Sequence, residues 1–119
     1  MFLNLSNHIS KNWGESQRVA AEKWGEIVDL NYPNVNPYAT TEEIISLANE
    51  LEEKILSMNP DVVMCQGEFT LAYSVIRRIK NHGIPVVAAC SQRNVEETIE
   101  NGVAKKNIIF EFCGFREYE

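Results

Sequence analysis

Ser6-Asn7-His8, Gln66-Gly67-Glu68-Phe69-Thr70 and Ser91-Gln92-Arg93-Asn94 are the places where side chains able to do chemistry gather just after an apolar run. His8 is one of two histidines, and an imidazole suits general acid or base work near neutral pH; a surface or capping histidine is the competing reading. Arg93 carries a planar guanidinium that can grip a phosphate through two parallel hydrogen bonds. A surface ion pair with Glu96 or Glu97 would equally account for it. Gly67 lets the backbone approach a ligand closely, and Thr70 or a neighbour opens a helix whose free N–H groups can receive an anion. A plain strand-to-helix turn capped by Thr70 explains the same residues. The spacing fits neither a Walker loop, which needs its Lys, nor the dinucleotide fingerprint, which needs three glycines. Trp13 can stack on a base or pack down a loop. His82, at a helix end beside Gly83, is accounted for by the helix dipole. Glu42, Glu43, Glu50, Glu52 and Glu53 fall on one helix and read as a solvated face, which leaves Glu68 the only acid in a tip.

These tips need elements to hold them. Phe2 to Leu5 reads as a buried first strand and Ser16 to Gly25 as a helix closed by Gly25. Ile27 to Leu30 is a second strand, and the Pro33 and Pro37 segment is a loop. Thr40 or Thr41 caps a second helix, with Glu42 and Glu43 in its first turn and Ile44, Leu47, Leu51, Ile55 and Met58 along one face, ending at Asn59-Pro60. Val62 to Cys65 is a third strand, Leu71 to His82 a third helix with Ala72, Val75, Ile76 and Ile79 on one face, and Ile84 to Cys90 a fourth strand. Val95 to Ile99 extends it and turns at Asn101-Gly102, and Asn107 to Cys113 is a last strand. Short apolar runs alternating with amphipathic helices predict an α/β fold: one Rossmann-like three-layer domain over residues 1–119, with a mainly parallel sheet and a C-terminal antiparallel hairpin-like end. In such sheets ligands sit outside the carboxyl ends of the strands, where the strand order switches, and that is where the three tips fall.

Composition narrows the chemistry. With 119 residues and 45% hydrophobic content, one core is expected. The chain is too short for a self-contained cleft with its own lid, so two copies are expected to share the site. A net charge of -6 argues against duplex nucleic acid, which relies on a basic face, and tolerates a small anion held by local donors. There is no run of about 18 apolar residues, hence no membrane span, and the opening residues lack the features of a signal peptide. Cys65, Cys90 and Cys113 read as buried, reduced thiols of a cytoplasmic protein. No two Cys or His lie at ligand spacing, so no metal site and no cofactor are expected.

The segment Val62-Val63-Met64-Cys65-Gln66-Gly67-Glu68-Phe69-Thr70, the following helix, and Ile84 through Glu97 resemble the small CRISPR-associated CARF-like ring-nuclease group. The opening Asn4-Leu5-Ser6-Asn7-His8 and the closing Phe110 to Tyr118 share the resemblance, so it covers both ends of the chain. It implies a Rossmann-like homodimer that binds cyclic oligoadenylate, in particular cyclic tetra-adenylate, across a two-fold axis. It also implies metal-independent cleavage by attack of a ribose 2′-hydroxyl on the adjacent phosphate. On that pattern Gln66, Gly67 and Thr70 cradle phosphate or adenine and Arg93 neutralises the scissile phosphate. Ser6, Asn7 and His8 orient the ribose hydroxyl, with His8 as proton acceptor. Glu68 and Phe69 in the third-strand tip, and Ser91 and Gln92 beside Arg93, complete the expected ligand-binding set. The sequence departs from the pattern at Glu68, which sets negative charge near a polyanion. Two alternatives stand beside this reading: a non-catalytic nucleotide-binding dimeric regulatory module, and a deoxyribosyltransferase-like enzyme with Glu68 as nucleophile.

Overall fold

In the computed structural model, which describes residues 1–119, the first strand is buried along its whole length. This β1 (Phe2–Ser6) pairs in parallel with β2 (Ile27–Asn31) on one side and β3 (Val62–Cys65) on the other. Parallel neighbours on both edges and helices on both faces leave no wet side, which is why β1 and β3 read as continuous apolar runs. Then β4 (Val86–Glu100) pairs in parallel with β3 at Val63–Val86 and Met64–Val87, and β5 (Val103–Glu117) returns antiparallel to β4. The sheet order is β2-β1-β3-β4-β5. The fold is therefore α/β, Rossmann-like and layered, with a mostly parallel sheet and a C-terminal antiparallel pair.

The helices divide between the two faces. On one, α2 (Thr41–Met58) and α3 (Phe69–Asn81) bury Ile44, Ala48, Leu51, Ile55, Leu71, Val75 and Ile79 against Leu3, Leu5, Val63 and Val86. Thr40 opens α2 with a capping box: its hydroxyl accepts from the Glu43 N–H at 3.2 Å while the Glu43 carboxylate accepts from the Thr40 N–H at 3.3 Å. Asn59 ends α2 in the left-handed region at φ 53°. On the opposite face the single short α1 (Glu15–Glu22) covers a smaller cluster of Phe2, Ala21, Val62, Met64 and Val87, closed by Trp13 and Phe115. Phe2 packs edge-on to Trp13 at 5.9 Å and against Phe115 at 5.0 Å.

The end of the chain differs from the sequence expectation. Ser91-Gln92-Arg93-Asn94 is not a tip at all: β4 continues through it to Glu100, turns at Asn101-Gly102 and comes back as β5, so beyond the sheet the two strands form a free-standing ribbon. The turn residues adopt φ 53° and 77°, the positive values a two-residue hairpin turn requires. Cross-strand backbone bonds form between polar residues as well as apolar ones, so polar residues do not end the ribbon. A bulge between Cys90 and Ser91 marks where the ribbon leaves the sheet. Other expectations also shift. Only Cys65 is buried; Cys90 is half-buried and Cys113 is exposed on the ribbon, so the expectation of three buried thiols fails for the latter two. Glu52 is not part of a solvated face: its carboxylate meets Arg78 at 3.2 Å and His82 at 2.8 Å and joins α2 to α3.

Candidate functional site

The strand order reverses between β1 and β3, and this is where crossover connections leave to opposite faces and open a crevice. Two of the expected tips meet there. Leu5 pairs with Cys65, and the Gln66 N–H donates to the Leu5 carbonyl at 3.1 Å, so Ser6-Asn7-His8 and Gln66-Gly67 leave the sheet side by side.

The first tip is built on a buried asparagine. Asn4, 1% exposed, donates to the His8 carbonyl and to Asp29 Oδ1, each at 2.8 Å. Its own Oδ1 accepts from the Ser6 hydroxyl at 2.7 Å, and Ser6 Oγ accepts from the His8 N–H at 3.2 Å. Asp29 in the middle of β2 also receives the Ser10 N–H at 3.1 Å and the Ser10 hydroxyl at 3.0 Å, and Trp13 Nε1 donates to the His8 carbonyl at 3.2 Å. A buried polar network satisfied this fully holds one conformation. Ser6 is consumed by it, whereas Asn7 and the His8 ring are exposed, and no hydrogen bond engages the ring. Trp13 packs down the loop, the second of its two readings: its ring lies on Phe2 while its indole N–H pins the turn. Asn4 and Asp29 were not among the expected site residues; a lone Asn inside the apolar run Phe2-Leu3-Asn4-Leu5 was their signal.

The second tip is organised by three side chains. Gln66 Oε1 accepts from the Ala89 N–H at 2.8 Å, continuing the β3–β4 seam after the backbone pairing has ended. Gly67 lies against the ring of Tyr32, and a Cβ there would clash hard with that ring, with Cζ nearest. Its small size is thus set by Tyr32, whose hydroxyl donates to the Glu68 carbonyl at 2.7 Å. Burial first, with the nearby Cys65 and Glu68, raises the Tyr32 hydroxyl well above its ordinary value, so it remains a donor. Glu68, not Thr70, caps α3. Its carboxylate accepts from the Leu71 N–H at 2.9 Å, the Thr70 N–H at 3.0 Å and the Thr70 hydroxyl at 2.8 Å. Those N–H groups, Leu71 ahead of Thr70, hold the Glu68 carboxyl below its ordinary 4.5. The first-turn donors expected to receive an external anion are therefore already occupied by a carboxylate. The same bonds engage both Glu68 oxygens, which disfavours Glu68 as a covalent nucleophile.

Gln66, Gly67 and Phe69 open onto a cleft of about 790 Å³ between α3 and the C-terminal residues. Tyr73, Arg77, Lys80 and Tyr118 complete its chemistry. Lys80 Nζ donates to the Tyr118 carbonyl at 2.7 Å and the Tyr118 hydroxyl to the Cys65 carbonyl at 2.9 Å. Arg77 stands 6.0 Å from the Tyr73 ring centre and forms no salt bridge, leaving its guanidinium open to an anion. Thr70 and Phe69 border a second cleft shared with α2. Sequence reasoning missed Tyr73 and Arg77 because they occupy the exposed stripe of α3, which carries no local signature.

Ser91, Gln92 and Arg93 stand apart from both tips. They lie on the ribbon that rises from the same end of the sheet, all exposed, with Arg93 opposite Phe110. Arg93 pairs with neither Glu96 nor Glu97; Glu97 instead approaches Lys106 at 3.8 Å. At about 3.3 Å per residue, Arg93 sits roughly 13 Å beyond Ala89, where Gln66 seals the seam. No curated protein and no solved structure matches this chain. The model of the uncharacterized protein MJ1673 family does match, over residues 1–116, which is nearly the whole chain with both tips and the ribbon, and the protein belongs to that family.

Proposed function

We propose that the protein is a cytoplasmic, homodimeric receptor for cyclic oligoadenylate, of the CRISPR-associated ring-nuclease kind, that opens the ring without a metal. The observation that carries this reading is the meeting of Ser6-Asn7-His8 with Gln66-Gly67 at the strand-order switch, on the residues that bear the resemblance. In the proposed step a ribose 2′-oxygen attacks the adjacent phosphorus as its proton passes to the exposed His8 ring. The bond from phosphorus to the 5′-oxygen breaks, that oxygen takes up a proton, and the ends are a 2′,3′-cyclic phosphate and a 5′-hydroxyl. Catalysis of this kind is mostly positioning and neutralisation of developing charge. Arg77 in the cleft supplies the cation, and Gln66 Nε2 a neutral donor. Incubation with cyclic tetra-adenylate in EDTA is expected to yield a linear product by mass spectrometry. Absence of both product and calorimetric binding sinks the reading.

Glu68 favours a second version of it. A carboxylate on the first turn of α3, facing the rim, repels phosphate. A sensor that holds the ring without cutting it fits that charge, and binding without product would select it. His8→Ala and Arg77→Ala divide the two: an enzyme loses turnover by orders of magnitude, a binder only affinity.

A further inference from the structure

The ribbon is the largest feature that the rim does not use. From Ser91 to Glu100, β4 pairs only with β5. The radius of gyration is 17.0 Å, where a compact chain of this length has about 13.5 Å. The accessible surface is 7976 Å² for 13.6 kDa, roughly 1,400 Å² above a compact monomer of that mass. A specific interface takes about 800 Å² from each partner.

The two faces of the ribbon differ. Side chains alternate, so β4 presents Gln92, Asn94, Glu96, Thr98 and Glu100 on one face. The other face continues the Phe115 side of the sheet, with the Phe112 and Phe115 rings 4.9 Å apart. Along it, Val95 stands opposite Ile108 and Ile99 opposite Ala104, with Arg93–Phe110 and Glu97–Lys106 between. Val95, Ile99, Ile108 and Phe110 are 53%, 79%, 53% and 68% exposed. This is an apolar surface with no partner in the chain.

We propose that this face packs on the same face of a second copy of the chain, the ribbons antiparallel about a two-fold axis between their Val95–Ile108 pairs. Such an axis lays β4 over β4 and β5 over β5. Arg93 and Glu97 are equally far from Val95, so each Arg93 meets the other copy's Glu97. Lys106 and Phe110 are equally far from Ile108, so a cation meets a ring. Phe112 falls on Ala104 and Ile99 on Ser91, large on small in both cases. An axis centred on Arg93 or on Glu97 would stack like charge on like charge, so the pattern selects one register. An unrelated partner has no need of this internal symmetry. Because the ribbon rises from the carboxyl ends of the strands, antiparallel ribbons turn the two rims toward each other. They also bring each Asn101-Gly102 tip level with the other copy's Ala89. This deepens the two-copy site proposed above, yet it needs no ligand, and loss of cyclic-nucleotide binding would leave it standing.

Light scattering on a sizing column tests it. The wild type is expected to be a dimer. Arg93→Glu and Glu97→Arg are each expected to weaken it about tenfold or more, and the double reversal to restore it. Val95→Cys, in a Cys90→Ser, Cys113→Ser background, is expected to be joined to its copy by a short bis-maleimide, because face-packed strands stand about 10 Å apart, beyond the reach of a direct disulfide. Circular dichroism confirms that each variant is folded, and the cross-link reads the register in a chain whose charges are intact. A monomeric wild type overturns the proposal. So does a dimer indifferent to both reversals, a folded double variant that stays monomeric, or absence of the Val95→Cys cross-link.

Discussion

Two residues at the rim, and one between helices, carry structural duties that their types alone did not announce. Gly67 is read from sequence as room for a ligand, but the room is filled by Tyr32. Gly67→Ala is expected to cost about 1–3 kcal/mol in urea unfolding, as overpacking does, and pairing it with a smaller residue at position 32 should recover part of the loss. Gln66 spends its carbonyl oxygen on the Ala89 N–H and keeps its amide for other work. Glu52 makes stability depend on acid. The His82 bond first, and then Arg78, hold its carboxyl below its ordinary 4.5. A depressed folded value means the stabilisation is present above the unfolded value and drains away as pH falls through the folded one. Glu52→Gln should therefore lower the urea midpoint at neutral pH, leave it nearly unchanged in acid, and so flatten the acid limb of the profile. The thiols offer a third check. Burial pushes Cys65 up to about 12, so it should resist alkylation in the folded protein, while the exposed Cys113 reacts at once.

At the scale of elements, the α3 start and the ribbon are where sequence and structure part. Glu68→Ala is expected to cost about 1 kcal/mol through the lost cap and to free the Thr70 and Leu71 N–H groups, so anion affinity at the rim should rise while stability falls. Isothermal calorimetry with the cyclic ligand, beside urea unfolding, reads both. The cap was not legible because short Ser, Thr, Asp and Asn side chains dominate that position, which drew attention to Thr70; Glu68 holds the cap two residues earlier, and its longer side chain folds back onto the Thr70 and Leu71 N–H groups. By contrast β3 was legible to the residue, Val62–Cys65, because both its faces are buried and its run is unbroken. The α2 boundaries were legible because Thr40, Glu43, Asn59 and Pro60 are punctuation with a physical mechanism. The ribbon hid because both its faces meet water in a single chain, so Ser91 to Asn94 show the polarity of a loop. The later alternation of Ile108, Phe110 and Phe112 and the Asn-Gly turn were its visible half. As for the site, the two tips could be found from a strand-end rule, but not the Asn4–Asp29 network that fixes one of them, nor the Arg77 cleft beside the other. Both depend on contacts between segments far apart in sequence.

The whole molecule has two zones of cohesion. The body is a sheet with cores on both faces; the ribbon beyond Cys90 has backbone bonds and little else within one chain. Local opening is cheap where buried apolar contacts are few. Amide exchange in a dilute, monomeric sample is expected to be fast from Ser91 to Phe112 and slow in β1 and β3. Gly102→Ala, forced to keep φ 77°, should accelerate the first set and leave the second unchanged.

The ribbon also has two long backbone edges with no partner, one on β4 past Val87 and the other along the outer side of β5. Exposed strands of this length, carrying Val95, Ile99, Ile108 and Phe110, are templates on which further chains can add without limit. Glu96, Glu97 and Glu100 on β4, with Glu97 paired to Lys106 and Glu100 to Lys105 on β5, interrupt that path with charge every few residues. They act as gatekeepers, and the acidity of the chain has a local use here: neutralising these carboxylates would open the ribbon to edge-to-edge addition of further chains.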